Sequence, residues 1–409
     1  MKRNCVLIVG GTWGFPNGMA STRRIILLAR AFMESNHHVE VIHTTISEWP
    51  GKVFNKKTEG WHKGIHFQYA TGTTIAAKRF LARRIMEWHG RLKTAVLICR
   101  YSRRYNVKAI IIYSRQISAV AWICVVANTA GIPTVLELNE WPVARKGITQ
   151  WRRMAAVLFC RWSPFMVDGF IVISHFIRDK ILEIKPDANK NLLVLPILVN
   201  AARNKRDKKK EKQFPENDSS PYILFSGSLD YVEALEMILD AFALVVGQKH
   251  NCRLVITGKG SDGAIEALKQ NVSRRGLGDH VELMGYIPSE VLDHLQQDAA
   301  CLLAPLENDD QSRARMPTKI AEYLMTGCPV ITSAIGEVTC FLENAKNAYL
   351  CPPEDIRSFA DTILHVLTHR EDSDLVGKSG RVLAQQAFVY KNYTKRLNTF
   401  VRSLSGRKT

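Results

Sequence analysis

The chain has 409 residues, 46% apolar and 23% charged. That length has room for two or three domains, and the composition excludes wholesale disorder, collagen, low-complexity scaffolds and a lone small binding module. The formal net charge is +18, and it is unevenly placed: residues 1–200 hold 29 basic and 11 acidic side chains, residues 221–409 hold 20 and 23. A basic first half beside a near-neutral second half points the first at an anionic surface.

The opening predicts strand, glycine-rich loop, helix, strand. Cys5 to Val9 is a short apolar run, Gly10 to Gly18 the loop, Ile25, Leu28, Ala29 and Phe32 recur at helical spacing, and Val39 to His43 returns as strand. Similar units follow, with strands over 108–113, 133–138, 169–174 and 192–195 and a helix over 117–129. The stretch 201–220 is basic and polar with Phe214 its one large apolar residue, which predicts a mobile linker. Alternation then restarts: strands over 222–226, 253–257, 281–285, 300–304 and 329–332, helices over 234–246, 263–275, 288–297 and 318–326. The fold class is α/β, with two doubly wound halves.

The apolar part of Met1 to Gly11 is too short for a secretory signal and reads as the first strand. The window Ala109 to Ala127 is broken by Tyr113, Ser114, Arg115, Gln116 and Ser118, so no spanning helix is expected. Nine cysteines without a C-x-x-C pair, mostly in apolar runs, suit a reducing cytoplasm and no zinc site.

In doubly wound sheets ligands bind at the carboxyl ends of strands, which directs the search to the strand-to-helix turns. The first is Gly10 to Gly18, where amides and a helix start suit an anion. Its spacing is not G-x-G-x-x-G and no acidic residue closes the next strand, which argues against a nicotinamide cofactor. The second is Thr257-Gly258-Lys259-Gly260-Ser261-Asp262-Gly263. The third runs from Arg313 through Arg315, Pro317, Thr318, Lys319, Glu322 and Tyr323 to Gly327-Cys328-Pro329-Val330. There the amides of Thr318 and Lys319 face a phosphate and Glu322, one turn on, suits ribose hydroxyls.

That third element, P-x-K-x-x-E-Y closing on G-x-P-V, resembles the donor-site signature of retaining glycosyltransferases of family 4, including bacterial enzymes of surface polysaccharides. The opening loop with Asn17 to Thr22 and Arg24, Glu137-Leu138-Asn139-Glu140-Trp141-Pro142, Ile173-Ser174 and Leu195-Pro196 are similar to that family's first domain. The resemblance implies a GT-B fold, two facing Rossmann-like domains with a cleft between them: acceptor domain 1–200, linker 201–220, nucleotide-sugar domain 221–385, and a final segment 386–409 whose helix crosses back to the first. It implies a nucleotide sugar as substrate, UDP by weak preference, with no cofactor and no metal. Carried over, Glu322 holds the ribose, Pro317, Thr318 and Gly258 border the diphosphate, Tyr286 and Ile287 border the base, and Gly10, Gly11 and Gly18 approach the phosphate.

The sequence departs from the family at the cations expected after the first strand of the second domain, where Ser228 and Glu233 align, and at the first acid of an E-x7-E pair, where Ala314 stands. Expulsion of a nucleoside diphosphate needs positive charge where negative charge develops. Lys319 is the leading substitute as a catalytic cation, with Lys259, Arg313 and Arg315 as the others. A double displacement needs a carboxylate against the sugar, for which Glu140 and Glu137 are the candidates.

Residues 78–104 and 145–161 interleave Lys and Arg with Trp, Phe, Leu and Ile, which suits an anionic membrane more than nucleic acid. The resulting expectation is a transferase peripheral to the inner face of the plasma membrane that adds a sugar to a lipid-linked or saccharide acceptor of a cell-envelope polysaccharide. A non-catalytic nucleotide-sugar-binding subunit and a sugar-nucleotide epimerase are the alternatives.

Overall fold

The structure is a computed structural model that describes residues 2–11, 13–51, 53–145, 147–201 and 220–405. Nearly all of the expected linker 201–220 lies outside the described residues. The chain forms two compact units, Met1–Leu198 together with Tyr390–Thr409, and Val199–Val389.

The first unit is an eight-stranded sheet. Its strands are β1 (Asn4–Gly10), β2 (His38–His43), β3 (Glu59–His62), β4 (Ile65–Tyr69), β5 (Asn106–Tyr113), β6 (Thr134–Leu138), β7 (Gly169–Val172) and β8 (Leu192–Val194), ordered β3-β4-β2-β1-β5-β6-β7-β8. Among the described residues only β3 and β4 pair antiparallel in this sheet. Continuous apolar runs such as Val6 to Val9 and Ile110 to Ile112 are fully buried, as expected where helices cover both faces of a parallel sheet. The register sets Gly10 beside His43 on one side and Tyr113 on the other, so these carboxyl ends lie level. Helices α1 (Ala20–Glu34), α2 (Phe80–Arg104), α3 (Ile117–Thr129), α4 (Gln150–Met166) and α5 (His175–Ile184) connect the strands.

The β3–β4 hairpin was not among the expected elements. It turns on Lys63 and Gly64, both at positive φ (50° and 78°), the two-residue turn whose twist matches paired strands.

The second unit has β9 (Tyr222–Ser228), β10 (Arg253–Lys259), β11 (Val281–Gly285), β12 (Cys301–Ala304), β13 (Val330–Ser333) and β14 (Tyr349–Cys351), all parallel, in the order β11-β10-β9-β12-β13-β14. Counted from its own first strand this is 3-2-1-4-5-6, the dinucleotide-binding order, whose switch point lies between β9 and β12. Its helices are α6 (Val232–Gly247), α7 (Asp262–Arg274), α8 (Ser289–Asp298), α9 (Asp310–Arg313), α10 (Thr318–Leu324), α11 (Ile356–Thr368) and α12 (Arg370–Ala387). The last helix, α13 (Thr394–Ser405), belongs to the first unit, where Leu397, Val401 and Leu404 join the same core as Ile25, Leu28 and Phe32 of α1. Strand β14 and helices α11 and α12 extend the second unit beyond the elements expected from sequence.

Candidate functional site

At the switch point of the second unit, β9 ends in Ser226-Gly227-Ser228 and α10 is held against it by one buried phenol. The Tyr323 hydroxyl accepts a hydrogen bond from the Ser226 amide at 2.8 Å, lies 2.9 Å from Ser226 Oγ and 3.1 Å from the Ser226 carbonyl. Gln296 donates to the same Ser226 Oγ at 3.2 Å. The Tyr323 ring is buried in the core, and its oxygen fixes where the rest of α10 stands.

On that helix Lys319 is half-buried. Its ammonium sits 4.2 Å from the centroid of the Phe225 ring, a cation–π contact, and a side chain added at Gly227 would place its Cβ 3.6 Å from Lys319 Nζ. Among the described residues no carboxylate pairs with it. Burial, with repulsion from Arg315, pulls its pKa from 10.5 to about 7. Arg315 meets no described carboxylate either: it reaches the Tyr231 hydroxyl at 3.5 Å, and its buried Nε has no partner. Arg313, by contrast, is committed to Asp310 at 3.0 Å and Asn308 at 2.7 Å. Lys259 is exposed and stacks on Tyr286 at 3.9 Å.

The remaining expected donor residues lie in the same unit, on α10 and at or just after the ends of β10 and β11. Pro317 is the N-cap of α10 and no side chain caps the first turn at Thr318 and Lys319. Glu322 and Ile287 are half-buried, while Tyr286 is exposed. Gly258 is demanded by packing, since a Cβ there would lie 1.7 Å from the Gly227 carbonyl. The β9–α6 and β10–α7 turns are tied together by Asp230, which accepts from the Ser261 amide and hydroxyl at 2.9 Å each. Those bonds hold its carboxyl below the ordinary range. Ser261 also caps α7, so part of the second loop's hydrogen-bonding capacity is spent within the loops. Ser228 bonds Asp230 and Glu233 is exposed, so neither supplies positive charge.

In the first unit the opening loop folds inward around Trp13 and Phe15. Trp13 is buried against His43 (4.2 Å between ring centroids) and Tyr113 (5.9 Å), with its indole N–H on the Tyr113 carbonyl at 3.3 Å. The Phe15 amide is taken by Tyr69 at 3.0 Å and the Asn17 amide by Asn55 at 2.8 Å. Thr12 lies outside the described residues. The three expected phosphate-approaching glycines each face neighbouring chain: a Cβ at Gly10 would lie 2.1 Å from the Tyr113 carbonyl, at Gly11 2.3 Å from Thr45 Oγ1, and at Gly18 2.0 Å from Thr22 Oγ1. The loop is thus a packed plug whose glycines are imposed by close approach.

Of the two carboxylates expected on the acceptor side, Glu137 is buried in an ion pair with Arg24, whose guanidinium also donates to the Leu195 and Pro196 carbonyls at 2.9 and 2.8 Å. Burial pushes the Glu137 carboxyl up while Arg24 opposes it, and Oε2 has no partner. This pair locks β6 and the segment after β8 to α1. Glu140 is half-buried and paired with Arg115 beyond β5.

With this geometry in place, the likeness to known proteins can be read. Residues 220–369 match the profile of the family described as glycosyl transferases group 1. Sucrose-phosphate synthase from Thermosynechococcus elongatus superposes with a TM-score of 0.73 at 17% identity, over 98% of this chain and 100% of that one. The chain has the GT-B fold. Other GT-B structures agree: HepE from Anabaena in complex with UDP-glucose has a TM-score of 0.67 at 14% identity, covering 97% of this chain and 99% of its own. The lipopolysaccharide outer core galactosyltransferase WaaB has 0.64 at 15%, covering 97% and 99%. No curated protein sequence matches significantly.

Proposed function

We propose that this GT-B protein is a glycosyltransferase that binds a nucleotide sugar in its second unit and an acceptor in its first. The observation that carries the reading is a half-buried cation, Lys319, that no described carboxylate pairs with, at the switch point of a 3-2-1-4-5-6 sheet. Nature rarely leaves an ammonium half-buried beside an aromatic ring without a counter-charge, and an incoming diphosphate is the counter-charge such a position suits. Arg315, close enough to perturb Lys319, adds a second cation. Together they replace, from α10 and the segment before it, the charge that Ser228 and Glu233 do not provide.

In this reading the leaving diphosphate rests against Lys319, Arg315 and the amides of Thr318 and Lys319. Glu322 accepts from the ribose, and Tyr286 and Ile287 border the base. The cations stabilise charge that grows as the glycosidic oxygen leaves, the largest contribution protein groups make to such reactions. Transfer is taken as retaining and without a metal, as the resemblance implies. Glu140, already bound to Arg115, serves acceptor positioning, and Glu137 is structural. Uridine nucleotides come first because HepE was solved with UDP-glucose.

The acceptor is a lipid-linked or growing cell-envelope saccharide, reached at the cytoplasmic face of an anionic membrane through residues 78–104 and 145–161. No described helix is long and apolar enough to cross a membrane. Donor hydrolysis and transfer to lipid-linked acceptors test the reading. Lys319→Ala should lower turnover at least tenfold with the fold intact, and unchanged turnover would remove Lys319 from the chemistry.

A further inference from the structure

Helices α2 and α4 carry a feature that charge alone does not explain. On α2, Gly90, Thr94, Leu97 and Ile98 face the unit and are buried, and a Cβ at Gly90 would lie 2.6 Å from the Thr44 carbonyl, so the helix is seated tightly. The opposite side presents Leu81, Ile85, Trp88, Leu92 and Val96 at intervals of three and four residues, each between 57% and 73% exposed. At 100° per residue these five share one narrow stripe, with Arg84 and Arg91 on one flank and Lys93 and Arg100 on the other. On α4 the same arrangement recurs: Trp151, Met154, Leu158, Trp162 and Phe165 are 49% to 80% exposed, while Phe159, Cys160 and Ser163 are buried. The two helices lie on either side of α3, Trp122 of α3 donating to the Arg91 carbonyl at 2.9 Å. Soluble proteins seldom expose ten large apolar side chains on neighbouring helices.

We propose that α2 and α4 insert these two apolar stripes into the acyl boundary of an anionic bilayer, with the flanking cations at the headgroups. This deepens the membrane contact put forward above and rests on it, but not on the donor site. Charge complementarity selects the occupant. Helix α2 holds seven Lys and Arg against one acid, Glu87, and α4 holds three Arg and no acid. A second copy of the chain would set these like-charged rows against each other, whereas anionic headgroups neutralise them. Trp at the stripe suits the interface, where its ring is amphipathic.

Insertion differs from electrostatic adsorption in its response to salt. At about 1 M salt the screening length falls to about 3 Å, which removes attraction between surface charges but leaves apolar burial in place. The full-length protein should therefore float with phosphatidylglycerol–phosphatidylcholine vesicles, remain bound when salt is added afterwards, and show tryptophan quenching by brominated acyl chains. The variant Trp88→Ser/Leu92→Ser/Trp151→Ser should lower the partition coefficient at least tenfold and lose retention in salt, with an unchanged melting transition because all three residues are exposed. Wild-type binding that salt abolishes and bromine does not quench would overturn insertion while leaving adsorption standing. No binding at all would overturn both. Concentration-dependent dimers in light scattering that the same variant abolishes, without vesicle binding, would show a second copy on this face and equally overturn the proposal.

Discussion

Raising pH titrates Lys319 in the range where most assays are run. Its pKa of about 7, against an ordinary 10.5, follows from burial and from Arg315. A diphosphate placed against the ammonium reverses both effects, so the bound form takes up a proton. By linkage, affinity for a nucleotide sugar is full below pH 7 and weakens as pH rises, by about tenfold per pH unit until the bound-state pKa is reached. Between about pH 6 and 8.5 the loss is on the order of 30-fold if the bound pKa returns close to its ordinary value. Stability of the free protein moves the opposite way: the folded pKa lies below the unfolded one, so the unfolded chain binds more protons between 7 and 10.5, and the Lys319 contribution to stability improves with pH. Titration calorimetry in buffers of different ionisation enthalpy reads the proton uptake directly. A nucleotide sugar is the ligand to use, since a terminal phosphate titrates near pH 6 by itself. Lys319→Met should bind more weakly with a flat pH profile. A flat wild-type profile, or an equal slope in the variant, would refute the assignment.

Two further substitutions test the surrounding framework. Tyr323→Phe removes the hydroxyl that satisfies the Ser226 amide and carbonyl inside the second unit, and two buried groups left unpaired should cost about 2–4 kcal/mol in denaturant unfolding; a change below about 0.5 kcal/mol, within the range of ordinary surface substitutions, would show that α10 is not held this way. Arg24→Met strands the buried Glu137 carboxylate and should destabilise by about 3–5 kcal/mol, more at neutral than at acidic pH, with Arg24→Met/Glu137→Leu recovering most of the loss; no recovery would assign the loss to the bonds from Arg24 to Leu195 and Pro196 instead.

The two-sheet α/β organisation was legible because buried parallel strands write continuous apolar runs, as at Val6 to Val9 and Leu254 to Ile256, punctuated by glycine turns. The β3–β4 hairpin was missed although Ile65 to Tyr69 alternates apolar and polar side chains with burial to match and Lys63-Gly64 offers a turn signal; its two strands are only four and five residues long. Strand β14 is only three residues long, too short for periodicity to register. At the expected donor side the spacing Pro317, Lys319, Glu322, Tyr323 drew attention to α10 and ranked Lys319 ahead of Arg313, but sequence does not show what surrounds either cation. Those surroundings differ: Asp310 and Asn308 occupy Arg313, whereas no described carboxylate pairs with Lys319. The opening loop is ambiguous in sequence for a physical reason. Glycines that clear a phosphate and glycines that clear neighbouring protein atoms look alike, and here the Tyr113 carbonyl and the Thr45 and Thr22 hydroxyls lie close to Gly10, Gly11 and Gly18. The Arg24–Glu137 pair joins residues 113 apart, a separation that no local pattern encodes.

Nucleotide binding tests the central claim most directly. Thermal unfolding of the purified protein with UDP, GDP, dTDP and CMP, and with Glu322→Ala as control, should show one selective stabilisation of about 2.7 kcal/mol at a hundredfold excess over the dissociation constant, abolished or strongly reduced in the variant. No shift with any nucleotide would contradict a donor site in the second unit and leave Lys319, which no described carboxylate pairs with, without its proposed counter-charge.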